Sequence, residues 1–166
     1  MKTNITSLMN LISEEEKNLD IYMAFIRTYA LNTYTEELDG RQNVIEDNKS
    51  EFNYNLENME KAFNKISKMK AELYKKNNEF KLSDGRTIQQ AIVDNTYLKK
   101  MKFAYEQLIH FKSSKKRCSE VNNSYFECKS VNFEIATIRK RLKEIDKIIQ
   151  NTDFEISRLN SIEFEI

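Results

Sequence analysis

Two Asp-Gly-Arg tripeptides contain the only glycines of this 166-residue chain, and each places an arginine beside a turn. Backbone amides left free in such a turn can bind an anion together with the arginine. The second tripeptide is the stronger candidate, because Thr87 follows it and begins a capping box at the positive N-terminal end of a helix. We therefore predict an anion-binding site formed by Asp84, Gly85, Arg86 and Thr87. The alternative is that the segment is only a turn with a helix cap.

A second group of candidate residues lies around an Asn-Asn turn, in a segment rich in β-forming side chains. This segment, near residues 118–131, is predicted to form a short hairpin or an extended excursion. Arg117 would supply a cation there, and Tyr125 and Phe126 would supply rings for stacking. We predict that these three residues join the second Asp-Gly-Arg turn in a pocket between subunits that binds an anionic ring compound.

The only two cysteines, Cys118 and Cys128, lie in the same segment, ten residues apart. They could face each other across a hairpin and form a disulfide. Intracellular proteins, however, more often keep such cysteines reduced. We therefore expect two free thiols, with the disulfide as the alternative.

Residues for catalysis and for cofactor binding are scarce. His110 is the only histidine, and it lies within a helical segment with no Gly-x-Ser-x-Gly motif nearby. Two isolated glycines cannot form a phosphate-binding loop of the Walker or dinucleotide type. The carboxylate run from Glu14 to Glu16 is interpreted as a solvated helix face. We predict no enzymatic activity, no cofactor and no metal site, with a carboxylate-based hydrolase as a further alternative.

The composition combines 40% hydrophobic and 32% charged residues with a net charge of +1. This balance suits amphipathic helices and argues against a non-specific nucleic-acid binder, which normally has a strong basic excess. No apolar run approaches the roughly 20 residues of a membrane span, and the N-terminal segment lacks a signal-peptide pattern. We predict a cytoplasmic protein without a membrane partner. Abundant Lys, Asn and Ile indicate an AT-rich genome, such as that of a low-GC bacterium or its phage.

The elements that position these residues are predicted from apolar spacing and from the near absence of helix breakers. Apolar residues recur every three and four positions in four runs, which predict helices over about 3–31, 49–77, 87–114 and 132–158. We predict an all-α single domain of residues 1–166. Its four long helices form two antiparallel coiled-coil hairpins, with a small extended or β excursion near 79–86 and 118–131. Residues 32–48 are predicted to form a surface loop, and the tail to form a short strand or to pack on a neighbour. The halves show no alignable repeat.

Three segments of the second half resemble a known family. Asn78 to Ile88 resembles the segment that begins the third helix in the septicolysin-like family of small bacterial and phage helical proteins. Tyr125 to Val131 and Leu142 to Asn151 are similar to its extended segment and its closing helix pattern. The family usually ends that pattern with Asn-Trp, whereas this chain has no tryptophan. The resemblance, over about residues 50–160, implies a helical, oligomeric architecture without established enzymatic activity.

The functional prediction follows from the long apolar seams and from the arginine-bearing turns. The apolar faces of the predicted helices are widened by aromatic and methionine residues. They expose more apolar surface than one helical hairpin can bury, which predicts a homo-oligomer. We predict a non-enzymatic binding protein that captures a small anionic, nucleotide-like molecule. Sequestration of a host signalling nucleotide by a phage anti-defence protein is the most specific form of this hypothesis. The alternative is a structural or protein-interaction coiled-coil module without a small-molecule ligand.

Overall fold

The computed structural model describes residues 2–121 and 123–165, and 63% of these residues are helical. The helices are α1 (Ile5–Thr28), α2 (Lys49–Glu79), α3 (Ile88–Leu108) and α4 (Ile135–Asn160). The strands are β1 (Lys2–Thr3), β2 (Thr33–Glu36), β3 (Gln42–Glu46), β4 (Ser114–Glu120), β5 (Asn123–Lys129) and β6 (Phe164–Glu165). Within the described residues they form antiparallel pairs of β1 with β6, β2 with β3 and β4 with β5. The prediction of four helices in a mainly helical fold is confirmed.

The segment over residues 32–48 contains a β-hairpin and is not the predicted surface loop. Strands β2 and β3 pair across it, with a register shift between Thr33 and Tyr34. Threonine, tyrosine, valine and isoleucine favour strands here, and Asp39 and Gly40 supply the turn. The acidic and amide residues around that turn concealed the strand pattern in the sequence. The fold is therefore mainly helical rather than strictly all-α.

The other predicted extended segments are present, with shifted boundaries. The β4–β5 hairpin begins at Ser114, before the predicted start at 118, and α3 correspondingly ends at Leu108. Near residues 79–86 the extended structure is an isolated antiparallel bridge between Lys81 and Thr87. The predicted tail strand is β6, which pairs with β1.

The described residues form two compact units. The first contains residues 2–77 and 160–165, and the second contains Asn78–Leu159. The sequence prediction treats the chain as one domain, because a mass of 19.8 kDa fits a single core. Each unit has its own helix pair and its own hairpin.

In the first unit, α1 and α2 pack as an antiparallel pair joined by the β2–β3 hairpin. Phe25 and Tyr54 line the same cavity close to the hairpin, and Glu15 forms an ion pair with Lys65 farther from it. The hydrogen bond from Lys65 lowers the pKa of the Glu15 carboxyl. The buried apolar side chains of this unit are Ile5, Leu8, Ile12, Ala62 and Ile66.

In the second unit, α3 and α4 pack in the same way, joined by the β4–β5 hairpin. Arg86, just before α3, contacts Thr152 near the end of α4, and Lys102 forms a 2.6 Å ion pair with Asp146. This order of contacts makes the two helices antiparallel. The buried apolar side chains are Leu82, Ile88, Ala91, Ile138, Leu142, Ile145, Ile149 and Leu159.

The two units share one plan at a constant sequence offset. Ile88 lies 83 positions after Ile5, and both side chains are 1% exposed. The residues before them, Asn4 and Thr87, each cap their helix by accepting a hydrogen bond from a backbone amide. Further buried pairs with this offset are Leu8 with Ala91, Ala62 with Ile145 and Ile66 with Ile149. The sequence conceals this repeat, because what most equivalent positions share is burial and not residue type.

Replacing Ile5 or Ile88 by alanine tests the equivalence of the two units. Each substitution leaves a cavity, so we expect the free energy of unfolding of its unit to fall by about 2–5 kcal/mol. Ile21→Ala is the control, because that side chain is 50% exposed, and its cost should stay below about 1 kcal/mol. Urea unfolding followed by circular dichroism measures all three. A cost for Ile88→Ala no larger than that for Ile21→Ala would contradict the equivalence.

Candidate functional site

The two Asp-Gly-Arg tripeptides form the same type of hairpin loop. The amide of Gly40 donates to the carbonyl of Glu37 at 2.9 Å, and the amide of Gly85 donates to the carbonyl of Leu82 at 3.0 Å. Both glycines have a positive φ, of 85° and 87°, which residues with a Cβ rarely adopt. A glycine in this conformation typically closes a three-residue hairpin loop. The tripeptides are therefore turn signals, and what distinguishes them is the surroundings of their arginines.

The guanidinium of Arg86 is held by its own chain. Its Nε donates to Asp84 at 2.8 Å, its Nη1 to Asp94 at 2.7 Å and its Nη2 to Thr152 at 3.4 Å. The carboxylates of Asp84 and Asp94 raise the pKa of Arg86 above its usual range, and the guanidinium lowers the pKa of Asp84. Because two carboxylates neutralise this arginine, its contribution is to join the turn to α3 and α4.

The Ser83 backbone amide in this turn is hydrogen-bonded to Glu155 of α4. The Ser83 backbone amide donates to one carboxylate oxygen and the Ser83 hydroxyl to the other, both at 2.7 Å. These two bonds lower the pKa of the Glu155 carboxyl. The turn thus binds an anion, but that anion is a carboxylate of the same chain. Thr87 caps α3 by accepting a hydrogen bond from the Gln90 amide at 3.1 Å.

One face of the β4–β5 hairpin combines cations with an aromatic ring. The register places Arg117 opposite Phe126 and Lys115 opposite Cys128. The Lys115 ammonium lies 4.3 Å from the centroid of the Phe126 ring, which is a cation–π contact. Side chains alternate between the two faces of a strand, so these residues share a face with two serines. We call this set the basic-aromatic face: Lys115, Arg117, Ser119, Ser124, Phe126 and Cys128.

Tyr125 lies on the opposite face of this hairpin. Its hydroxyl donates to Glu120 of the neighbouring strand at 3.3 Å, on the side away from the Phe126 ring. The predicted group is therefore split, because Arg117 and Phe126 share a face that Tyr125 does not reach. Asn122, half of the predicted Asn-Asn turn, lies outside the described residues.

The two cysteines also lie on opposite faces of this hairpin. Cys118 is paired with Tyr125, and Cys128 is paired with Lys115, three rungs along the ladder. An odd number of rungs places two side chains on different sides of the sheet. Both cysteines are free thiols, as expected, and the disulfide alternative is excluded by this geometry.

The two predicted groups of ligand-binding residues lie at opposite ends of α3. Asp84, Gly85, Arg86 and Thr87 precede this helix, and β4 follows it. A helix of 21 residues is about 30 Å long, so the two groups do not meet within one chain. A pocket that uses both would need the turn of one subunit and the hairpin of another. Ligand binding at the turn stays a prediction, and the bonds within the turn favour the purely structural alternative.

Sequence reasoning missed the residues that complete each group. Lys115 stands in a basic run that is typical of a helix end. Only the alternation of a strand, with Arg117 two positions later, could have placed both cations on one face. Asp94 and Glu155 carry no such signal, because their partners lie 8 and 72 positions away in the chain.

No metal site and no membrane span is found in the part of the chain that the structure describes. Over residues 2–121 and 123–165, no three histidine, cysteine or acidic side chains are grouped so as to hold a metal ion. Within the same ranges, each helix is too short or too polar to cross a membrane.

Comparison with known proteins identifies the family. Residues 31–161 match a family model described as "Family of unknown function (DUF6847)". The chain belongs to the DUF6847 family. This DUF6847 protein shares its fold with a crystal structure described as that of a functionally unknown conserved protein from Corynebacterium diphtheriae. That similarity covers 99% of this chain and 100% of the other, with a TM-score of 0.63 and 16% identity.

None of the three comparisons assigns a function. No curated protein matches the chain. The DUF6847 family has no described function, and nothing in it bears on the septicolysin-like family. The septicolysin-like resemblance therefore stays a prediction.

Replacing Arg86 by lysine tests its structural role. A lysine cannot bridge Asp84, Asp94 and α4 together, so we expect the free energy of unfolding to fall by about 1–3 kcal/mol. Arg41→Lys in the other Asp-Gly-Arg turn is the matched control. Arg41 is 81% exposed and pairs with Asp39, so its substitution should cost less than about 0.5 kcal/mol. Equal costs in urea unfolding would contradict the structural role of Arg86.

Protonation of Glu155 should weaken the same turn. Its folded-state pKa lies below the ordinary value of 4.5, so its contribution to stability is present above pH 4.5. That contribution is lost as the pH falls through the lowered folded-state pKa. We expect Glu155→Gln to reduce the loss of stability on acidification, measured by urea unfolding at a series of pH values, whereas Glu60→Gln on α2 should not. An acid-induced loss unchanged in Glu155→Gln would show that this carboxylate does not hold the turn.

Proposed function

We propose that this protein is a non-enzymatic, homo-oligomeric binding protein that captures a small anionic, nucleotide-like ligand on its basic-aromatic face. The observation that carries the proposal is the placement of Lys115, Arg117 and Phe126 on one side of the β4–β5 hairpin. The two antiparallel helix pairs act in this proposal as coiled-coil hairpins that carry and assemble the binding elements. The protein works in the cytoplasm, which is a host cytoplasm if a phage encodes it.

The chemistry of the basic-aromatic face suits both parts of a nucleotide. The Phe126 ring is 56% exposed and can stack on a base, and stacking tolerates any base because each has a π face. The Arg117 guanidinium can bind a phosphate through two parallel hydrogen bonds, and Lys115 adds a point charge. The described residues of this face include no carboxylate that would repel the phosphate.

The same composition argues for capture without turnover. Histidine and carboxylate side chains are the commonest general bases, and the described residues of this face include neither. Binding without turnover is what sequestration of a signalling nucleotide requires. A phage protein that removes such a signal from its host is the specific hypothesis that we retain.

Substitutions of two adjacent aromatic residues test the proposal. Phe126→Leu removes the ring from the basic-aromatic face, whereas Tyr125→Leu removes a ring from the opposite face and is the matched control. We expect Phe126→Leu and Arg117→Ala to weaken binding of cyclic or ADP-ribose-type nucleotides about tenfold or more in isothermal titration calorimetry. Tyr125→Leu and Lys116→Ala should change the affinity less than about threefold, since Lys116 also lies on the opposite face.

Three outcomes would overturn this proposal. The absence of binding to every nucleotide in the panel would remove the ligand. A nucleotide that binds and is recovered as a product, detected by mass spectrometry after release, would instead identify a hydrolase. Equal losses for Phe126→Leu and Tyr125→Leu would show that the ligand does not use the basic-aromatic face.

A structural or protein-interaction module is the second candidate, and a groove in the first unit favours it. Leu19 and Met23 of α1, with Met59 and Phe63 of α2, line an open apolar groove of about 540 Å³. Phe63 is 62% exposed there. Such a groove can bind the apolar face of a helix from another protein. Native mass spectrometry of protein from its natural host separates the two functions, because it reports a retained nucleotide or a retained protein together with the subunit number.

A further inference from the structure

The two hairpins that join the helices are exposed along almost all of their described strand residues. Every residue of β2 and β3 is exposed, and so is every residue of β4 and β5 except Cys118. Neither pair is hydrogen-bonded to a third described strand. An isolated two-stranded hairpin is at best marginally stable in water, and its open edges can pair with further strands. Both hairpins are therefore suited to association with another strand pair.

Large apolar side chains accompany these open edges. In the first hairpin, Tyr34 is 54% exposed and Val44 is 69% exposed. In the second hairpin, Tyr125 is 45% exposed and Phe126 is 56% exposed. Such side chains can pack against those of a neighbouring strand that is added at the edge of the hairpin.

The two hairpins carry opposite charge. The acidic hairpin, residues 33–47, contains Glu36, Glu37, Asp39, Glu46 and Asp47 with Arg41, which gives a net charge of −4. The basic hairpin, residues 112–131, contains Lys112, Lys115, Lys116, Arg117 and Lys129 with Glu120 and Glu127, which gives +3. Arg41 is already paired with Asp39, so the acidic hairpin offers no free cation among its described residues. These charges attract unlike hairpins and repel like ones.

We infer that the acidic hairpin of one copy of this chain binds the basic hairpin of another copy, edge to edge. This inference rests on the homo-oligomer of the proposed function and specifies its interface. Pairing through the edges leaves both sheet faces open, so the basic-aromatic face stays accessible to a ligand. Reciprocal contacts between two copies would close a dimer, and successive contacts around a rotation axis would close a ring.

Opposite charge determines which hairpins bind each other. Two acidic hairpins would place eight net negative charges side by side, and two basic hairpins six positive ones. Like charges directly opposite each other destabilise strand pairing, so self-pairing of either hairpin is disfavoured. Attraction between exposed charges is screened by salt, so the assembly should also weaken as ionic strength rises.

Charge-reversal variants test the interface. Glu36→Lys with Glu46→Lys changes the net charge of the acidic hairpin from −4 to 0. Lys116→Glu with Lys129→Glu reverses the basic hairpin on the side away from the basic-aromatic face. In sedimentation velocity at one protein concentration, we expect each double variant to lose at least half of the wild-type oligomer mass. An equimolar mixture of the two should recover part of that mass, because the unchanged basic hairpin of the first variant can bind the unchanged acidic hairpin of the second.

The controls and outcomes separate this inference from the proposed function. Asp20→Lys with Glu57→Lys changes the charge equally on helix surfaces and should leave the mass unchanged. If both hairpin variants keep the oligomer mass of the wild type, the proposed interface is wrong, but the proposal of ligand capture is unaffected. If the wild type is a monomer, the proposed homo-oligomer is wrong. The affinity for nucleotides is measured separately, so ligand capture is tested independently of this result. Circular dichroism identifies a variant that fails to fold, and mixing does not restore the oligomer mass of such a variant. If both variants are folded and their mixture recovers no oligomer mass, the inference is wrong.

Discussion

The carboxylate of Glu155, held by the amide and hydroxyl of Ser83, fixes the geometry on which the second unit depends. It places the Asp-Gly-Arg turn against α4, and Arg86 continues the contact through Asp94 and Thr152. These bonds set α3 antiparallel to α4 from its first residue. The β4–β5 hairpin must then project from the far end of the pair, about 30 Å away. A turn that looks like a ligand site in the sequence thus determines where a different candidate site is presented.

The repeat between the two units shows which features are constrained by packing. Ile5 and Ile88 occupy equivalent positions with the same low exposure, and each follows a capping residue. The hairpins at the equivalent ends of the units carry opposite charge. Packing limits what a buried position can hold, because cavities and overpacking both cost stability. Exposed strands have no such limit, so their charges are free to serve binding or assembly.

Helices were predictable from this sequence because apolar spacing continues along α1, with one charged residue at Glu15, and along α4. The β2–β3 hairpin was not, because its few β-forming residues are outnumbered by acidic and amide ones. The register that puts Arg117 opposite Phe126 is a property of strand pairing, and a slip of one residue would exchange Tyr125 for Phe126 on that face. Glu155 could not have been assigned to the turn at all, since 72 residues separate it from Ser83. Local pattern thus predicts elements, whereas the candidate site depends on pairing across the chain.

A hairpin that both binds a ligand and joins subunits is physically consistent, because the two roles use different directions. Hydrogen bonds between strands lie in the plane of a sheet, whereas side chains point above and below it. An acidic partner strand at the edge would lower the local positive potential, but it would also support a sheet that is marginal alone. A supported sheet holds Arg117 and Phe126 in one arrangement before the ligand arrives, which reduces the ordering cost of binding. Assembly would therefore strengthen ligand capture to the extent that preorganisation outweighs the added negative charge.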